Sequence, residues 1–185
     1  NPGAVGLPFP GIDVRVVGPD GTPLPTGETG EIQCNGPNIM LGYYRDPEAT
    51  ALAIDDAGWL SMGDLGFFDD DGQIHLVARL KDLITRSGFN VYPAEIEGVL
   101  NSYPDVLQSA VVGRVVPGNE EVIAFVEAIS GAEINVAELA AYAAEMLAPY
   151  KKPAHIEVLS KLPVGATGKL LKTELREIAD RLDQA

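Results

Sequence analysis

The sequence predicts an α+β protein in two parts, a small β-rich body ending near Lys81 followed by a compact α+β domain of about 100 residues. Three observations carry this. Residues 12–17, Ile-Asp-Val-Arg-Val-Val, alternate with the period of a strand and stop at the turn sequence Gly18-Pro19-Asp20-Gly21. Short strand-like runs broken by Gly, Pro and Asp then continue to Lys81. Beyond Lys81, apolar residues recur at helical spacing between further strand runs.

In the first part, residues 30–34 form a second strand. Residues 73–77 form a third, entered through the acidic turn Asp69-Asp70-Asp71-Gly72. The single helix expected here is brief, over residues 47–54. In the second part, Pro93 suits a first helical turn, and Ile96, Val99, Leu100 and Tyr103 follow on one face. Residues 106–112 and 121–129 read as strands. Residues 136–146 read as an amphipathic helix with Leu139, Tyr142, Ala143 and Met146 inward. Residues 155–159 are a further strand, and Thr173 is placed to cap a last helix carrying Leu175, Ile178 and Leu182.

At 185 residues the chain buries roughly 70% of its unfolded surface. Its net charge is -14 and its longest cationic run is Lys151-Lys152, which argues against nucleic-acid binding. An anionic ligand must be held by a few placed cations. One cysteine, Cys34, excludes an intrachain disulfide, and a reducing compartment, the cytoplasm, is the simplest expectation. Residues 1–10 lack the basic start and apolar run of a signal peptide, and the most apolar helical stretch is too short to span a bilayer. The chain opens without Met in a Gly/Pro-rich phrase and reads as a piece of something longer.

Three segments have the chemistry of a site, and each also has a plainer reading. Asp64 follows Gly63, and its carboxylate suits a vicinal diol; it equally suits a turn Asp bonded to its own backbone. Arg79 and Lys81 flank the boundary, and the planar fork of Arg79 suits ribose or phosphate oxygens. Just beyond, Ser87-Gly88 lets backbone come close to an extended ligand. The plainer reading of this stretch is a solvated linker with a surface ion pair. Lys169 stands on a small-residue loop, Pro163-Val164-Gly165-Ala166-Thr167-Gly168, from which it can neutralise phosphate or simply face solvent. This is not a P-loop: no Gly stands four residues before Gly168, and Leu170 replaces the required Ser or Thr. His75 and His155 lie in strand patterns, and no Cys/His metal spacing or Gly-x-Ser-x-Gly elbow exists. Trp59 and Met62 are most economically packing residues.

Order and spacing add a stronger signal. Gly3-Ala4-Val5-Gly6-Leu7-Pro8-Phe9-Pro10-Gly11, Gly30-Glu31-Ile32, Gly36-Pro37-Asn38-Ile39-Met40-Leu41-Gly42-Tyr43-Tyr44 and Pro47-Glu48-Ala49-Thr50 occur in that order. Gly58-Trp59-Leu60, Gly63-Asp64, Arg79-Leu80-Lys81-Asp82-Leu83-Ile84 and Ser87-Gly88-Phe89-Asn90-Val91-Tyr92-Pro93-Ala94-Glu95-Ile96-Glu97 follow. Ala148-Pro149-Tyr150-Lys151-Lys152-Pro153 and the Lys169 loop close the series. Together they resemble the adenylate-forming superfamily of acyl- and aryl-CoA synthetases, luciferases and peptide-synthetase adenylation domains. The match covers essentially the whole chain.

The resemblance implies that residues 1–80 are the last, barrel-like subdomain of a large N-terminal domain. Residues 82–185 would be a small mobile C-terminal domain, with the hinge at Lys81. It implies that Asp64 holds the ribose hydroxyls of ATP and of the acyl-adenylate, and that Arg79 contacts the same nucleotide. Ser87 and Gly88 would approach the pantetheine arm of CoA, and Lys169 would stabilise charge during adenylation. Met62 and Ala78 depart from the family pattern, which has Thr and Gly there. The implied activity is an acid–thiol ligase that converts a fatty or aryl acid to acyl-AMP with ATP and magnesium, then to acyl-CoA. The family's phosphate loop and its Tyr-Gly-x-Thr-Glu segment, whose Glu bears on magnesium, are not in the sequence. The isolated chain is therefore expected to be inactive and to need the rest of the N-terminal domain. A peptide-synthetase adenylation domain, a luciferase-like oxidase and a non-catalytic interaction module are the alternatives.

Overall fold

A computed structural model of the protein describes residues 3–182. The chain forms two compact units, Asn1–Lys81 and Asp82–Ala185.

The first unit is built on a five-stranded antiparallel sheet of β1 (Ala4–Gly6), β2 (Asp13–Val17), β3 (Gly30–Asn35), β4 (Leu60–Phe68) and β5 (Ile74–Arg79). Its order is β1-β5-β4-β3-β2. The helix α1 (Pro47–Ala53) begins where the Asp46 side chain accepts the Ala49 N–H, with Pro47 in the first turn, where no intrahelical donor is needed. At the acidic turn, Asp69 Oδ1 accepts the Asp71 and Gln73 N–H groups. Its Oδ2 lies 2.8 Å from His75 Nε2, and the His75 ring stacks on Phe67. His75 thus serves the sheet.

The sequence reading missed β1 and β4 and ended β5 two residues early. In β4 the cause is Gly63 and Gly66, which break the period-two pattern and read as a turn. Gly63 takes φ 68°, and the β4–β5 register shifts between Leu65 and Gly66. A Cβ on Gly66 would stand 2.3 Å from the His75 carbonyl oxygen and 2.6 Å from Ile32 Cδ1. The glycine is there because two strands and a core side chain close on it. Gly66→Ala should therefore destabilise the full-length protein by about 1–3 kcal/mol, the usual range for overpacking. An unchanged denaturation midpoint would show that β5 can yield.

The second unit holds β6 (Ile84–Arg86), β7 (Phe89–Val91), α2 (Pro93–Asn101), β8 (Val106–Val116), β9 (Asn119–Ala128), α3 (Val136–Met146), β10 (His155–Leu159) and α4 (Lys172–Ala179). The main sheet runs β10-β9-β8, with β8/β9 an antiparallel hairpin and β9/β10 parallel. Both faces are covered, so these strands read as near-continuous apolar runs. Val111, Val122, Ala124 and Val126 pack with α2 and α3 residues Ile96, Leu100, Leu139 and Ala143. Ala110, Val112, Ile123 and Phe125 pack on the other face with Leu162 and the α4 residues Leu175 and Ala179. The period-two alternation of β8 and β9 sorts these sets.

Two details differ from the sequence-based expectation. Met146 is exposed, and Leu147 is buried in its place. The helix α3 ends at Met146, and the extended backbone at Leu147 (φ -104°, ψ 138°) turns that side chain into the core. Thr173 is not a cap: α4 begins at Lys172 with Leu171 at the cap position and no side-chain cap bond.

Candidate functional site

Within the first unit, Asp64 of β4 and Arg79 of β5 are directly opposed Cα partners. Arg79 Nε lies 2.8 Å from Asp64 Oδ1, and the side chains are 57% and 18% exposed. Asp64 stands inside a strand and not in a turn, so the self-bonded turn reading is set aside. An ionised carboxylate offers about four lone-pair positions, so the Arg79 contact leaves acceptor capacity. Two residues away, Met62 lines a small cavity of about 200 Å³ together with Asp64, Ile32, Cys34, Ile74 and Leu76. Its sulfur is 3.3 Å from Cys34 Sγ. Burial pushes the Cys34 thiol pKa up, so this side of Asp64 is apolar and uncharged. Met62 is half exposed, which corrects its reading as a plain packing residue.

Within the second unit, Ser87 and Gly88 are the two turn residues of the β6–β7 hairpin, with Arg86 paired to Phe89. Their φ values are 53° and 81°, the type I′ pattern whose twist matches the flanking strands. This is a built turn and not a loose linker. The left-handed region costs a non-glycine residue roughly 1–2 kcal/mol, so Ser87 must be held there. It is held by neighbours. The Ser87 N–H donates to Asn119 Oδ1 at 2.7 Å, and the Thr85 N–H donates to the Glu120 carboxylate. Arg86 Nη1 donates to the Lys152 carbonyl, and Phe89 stacks on Tyr150 at 4.6 Å. The phrase at residues 148–153 is thus a backing turn, itself tied down where Lys151 binds both Glu95 oxygens at 2.6 and 2.7 Å. That hydrogen bond to Glu95 raises the Lys151 pKa.

Lys169 ends a turn closed by the Gly168 N–H on the Gly165 carbonyl (2.9 Å) and the Gly165 N–H on the Lys169 carbonyl (2.8 Å). Its side chain is exposed. The base of the loop is anchored: Lys172 Nζ lies 2.8 Å from Glu97 Oε1, which also accepts the Val111 N–H at 2.8 Å. Lys169 and Ser87–Gly88 therefore stand on two separate turns with separate braces. Lys81 lies in a 3₁₀ turn, Leu80–Asp82, that joins β5 to β6. Among the described residues no group of three or more His, Cys, Asp and Glu is arranged to hold a metal.

The model for the C-terminal domain of AMP-binding enzymes matches residues 95–169, and the AMP-binding enzyme model matches residues 1–44. A feruloyl-CoA synthase from an Amycolatopsis species is 46% identical over 175 residues, covering 94% of this chain and 35% of that protein. ATP-bound MatB from Rhodopseudomonas palustris superposes with a TM-score of 0.90 at 40% identity, over 97% of this chain and 36% of that one. The chain belongs to the adenylate-forming superfamily. It spans about a third of the length of these relatives. The amide bond synthetase McbA from Marinactinospora thermotolerans is also similar, with a TM-score of 0.84 at 39% identity over 95% of this chain and 36% of that one.

In this adenylate-forming chain, of the charged groups singled out from sequence, Arg79, Lys81 and Lys169 are exposed, while Asp64 is mostly covered. What sequence reasoning missed is the supporting set, Asn119, Glu120 and Arg86 behind the hairpin and the Glu97–Lys172 pair beneath the Lys169 loop. Glu97 ends the Tyr92-Pro93-Ala94-Glu95-Ile96-Glu97 phrase, which was the one available signal for it. Among the described residues no helix is long and apolar enough to cross a membrane.

Proposed function

We propose that the chain is the C-terminal part of an acid–CoA ligase. In this reading a carboxylate attacks the α-phosphate of ATP, forming acyl-AMP and releasing pyrophosphate. The CoA thiolate then attacks the acyl carbon and AMP leaves. Asp64 accepts the ribose hydroxyls, and Arg79 orients Asp64 and contacts the nucleotide. Lys169 offsets negative charge in the first step, and the Ser87–Gly88 turn lies along the pantetheine arm in the second. Lys81 is the hinge between residues 1–80 and 82–185.

The observation that carries this reading is the pairing of Asp64 with Arg79 on adjacent strands, in a unit whose apolar surface is largely uncovered. Phe9, Leu41, Tyr44 and Leu52 stand almost fully exposed. Only Val16, Val17, Ile32 and Leu65 are buried apolar side chains among its described residues. That surface fits a body packed on further chain, where the acyl pocket and the magnesium site would lie. The chain alone is expected to be inactive, and it sets neither the aryl nor the fatty nature of the acid.

The similarity to an amide bond synthetase favours one second reading, in which an amine captures the adenylate. The full-length protein, given acid and ATP with CoA, a carrier-protein pantetheine or an amine, distinguishes the acceptors. Product formation with an amine alone would replace the ligase reading.

Asp64→Ala in the full-length enzyme should reduce kcat/KM for ATP by roughly 10- to 150-fold. That is the equivalent of losing charge-assisted hydrogen bonds of about 1.5–3 kcal/mol. Unchanged ATP dependence would remove the ribose role.

A further inference from the structure

The turn that connects β8 to β9 bears on the hairpin that connects β6 to β7. Asn119 is the first residue of β9, paired with Val116. Its amide makes two contacts with one residue: Oδ1 accepts the Ser87 N–H at 2.7 Å, and Nδ2 donates to Ser87 Oγ at 3.3 Å. The adjacent Glu120 carboxylate accepts the Thr85 N–H. Ser87 and Arg45 are the only non-glycine residues with positive φ among the described residues. A serine in the left-handed region is unfavourable by itself, and such a conformation persists where its surroundings over-determine it. Asn119 supplies that determination: the Ser87 N–H points at Oδ1 only while Ser87 keeps this backbone. Gly88 needs no such help, and a Cβ there would meet nothing within 4 Å.

We infer that Asn119 is a positioning residue for the thioester-forming step, fixing the exposed Ser87–Gly88 turn through the Ser87 N–H and hydroxyl. This rests on the proposed role of Ser87 and Gly88. Asn119 touches no reacting atom; it acts through Ser87. A turn held in one shape presents a fixed wall to an extended thiol arm, whereas a turn free to invert presents it only part of the time. Adenylation, which uses Lys169 on a separately braced loop, is independent of this contact.

The test uses the full-length enzyme and two separated measurements. Adenylation is read as pyrophosphate release, and thioester formation is read from supplied acyl-AMP and CoA. Asn119→Ala should slow thioester formation by about tenfold, the equivalent of one lost hydrogen bond, and leave adenylation unchanged. Amide hydrogen exchange at Ser87 should accelerate by a similar factor, about tenfold. Asn119→Asp keeps an acceptor for the N–H and a partner for the Ser87 hydroxyl, so it should restore both readouts. Equal loss in both half-reactions, or no change in Ser87 exchange, overturns the positioning role. Gly88→Val separates the role of the turn from that of Asn119, because it puts a β-branched residue at φ 81°. If Gly88→Val abolishes thioester formation while Asn119→Ala changes nothing, Asn119 is dispensable and the turn's role stands. If Gly88→Val leaves thioester formation intact, the turn has no part in that step and the inference falls with it.

Discussion

Lys169→Ala in the full-length enzyme should block acyl-adenylate formation by at least about 10²-fold, the loss typical of removing one placed donor from a developing charge. Thioester formation from supplied acyl-AMP should survive, because in the proposed reaction Lys169 serves only the first step. The structure gives this expectation a clean reading. Lys169 is at the end of a turn held by main-chain bonds from Gly165 and Gly168, and the loop base is fixed by Lys172 on Glu97. None of these contacts uses the Lys169 side chain, so truncating it leaves the loop and the packing of α4 unaltered. A fall in melting temperature is therefore not expected, and Lys172→Ala is the contrasting variant. Lys172→Ala removes the partner of Glu97 beneath β8, so it should disturb stability as well as adenylation. Equal loss of both half-reactions in Lys169→Ala would make the residue structural, or would remove the two-step scheme.

The fold class was legible because the strongest patterns are local. The helix α3 and the strand β10 match the residues assigned from sequence, since each is a single uninterrupted pattern. The strand β4 was not legible, because Gly63 lies where the β3–β4 register shifts between Glu31 and Gln33, and Gly66 meets a close approach by β5, both of which depend on strands distant in sequence. The β6–β7 hairpin was not legible either. Its strands have three residues each, and Ser-Gly is a weaker type I′ signal than Asn-Gly. The site divides in the same way. Asp64, Arg79, Ser87 and Lys169 stand in phrases that local sequence carries. Asn119 and Glu120 reach back 32 and 35 residues to the turn they support, a distance over which no spacing rule operates. Leu147 replaced Met146 in the core because one residue beyond the helix the backbone changes direction.

Lys81→Pro in the full-length enzyme should separate the two half-reactions, lowering one by about 10²-fold or more, as loss of productive geometry does, and sparing the other. Lys169 and the Ser87–Gly88 turn are assigned to different steps yet belong to one compact unit, so we propose that this unit presents each in turn by rotating as a body. The backbone that absorbs such a rotation must lie between fixed points. On one side Arg79 is fixed as the last residue of β5, opposite Asp64. On the other, Asp82 is ion-paired with Arg176 at 2.6 Å, and Ile84 is buried in the second core. Leu80 and Lys81 are the residues between these two points in the chain, and they lie in a single 3₁₀ turn. Proline at 81 fixes its own φ near -65° and drives residue 80 toward extended backbone, away from the 3₁₀ geometry seen here. It therefore acts on both dihedral pairs available to the hinge and leaves the two folded units intact. Lys81→Ala removes the same side chain without restricting the backbone, so the difference between the two variants measures the hinge itself. Equal rates for both half-reactions in Lys81→Pro, at unchanged melting temperature, would place the rotation at other residues.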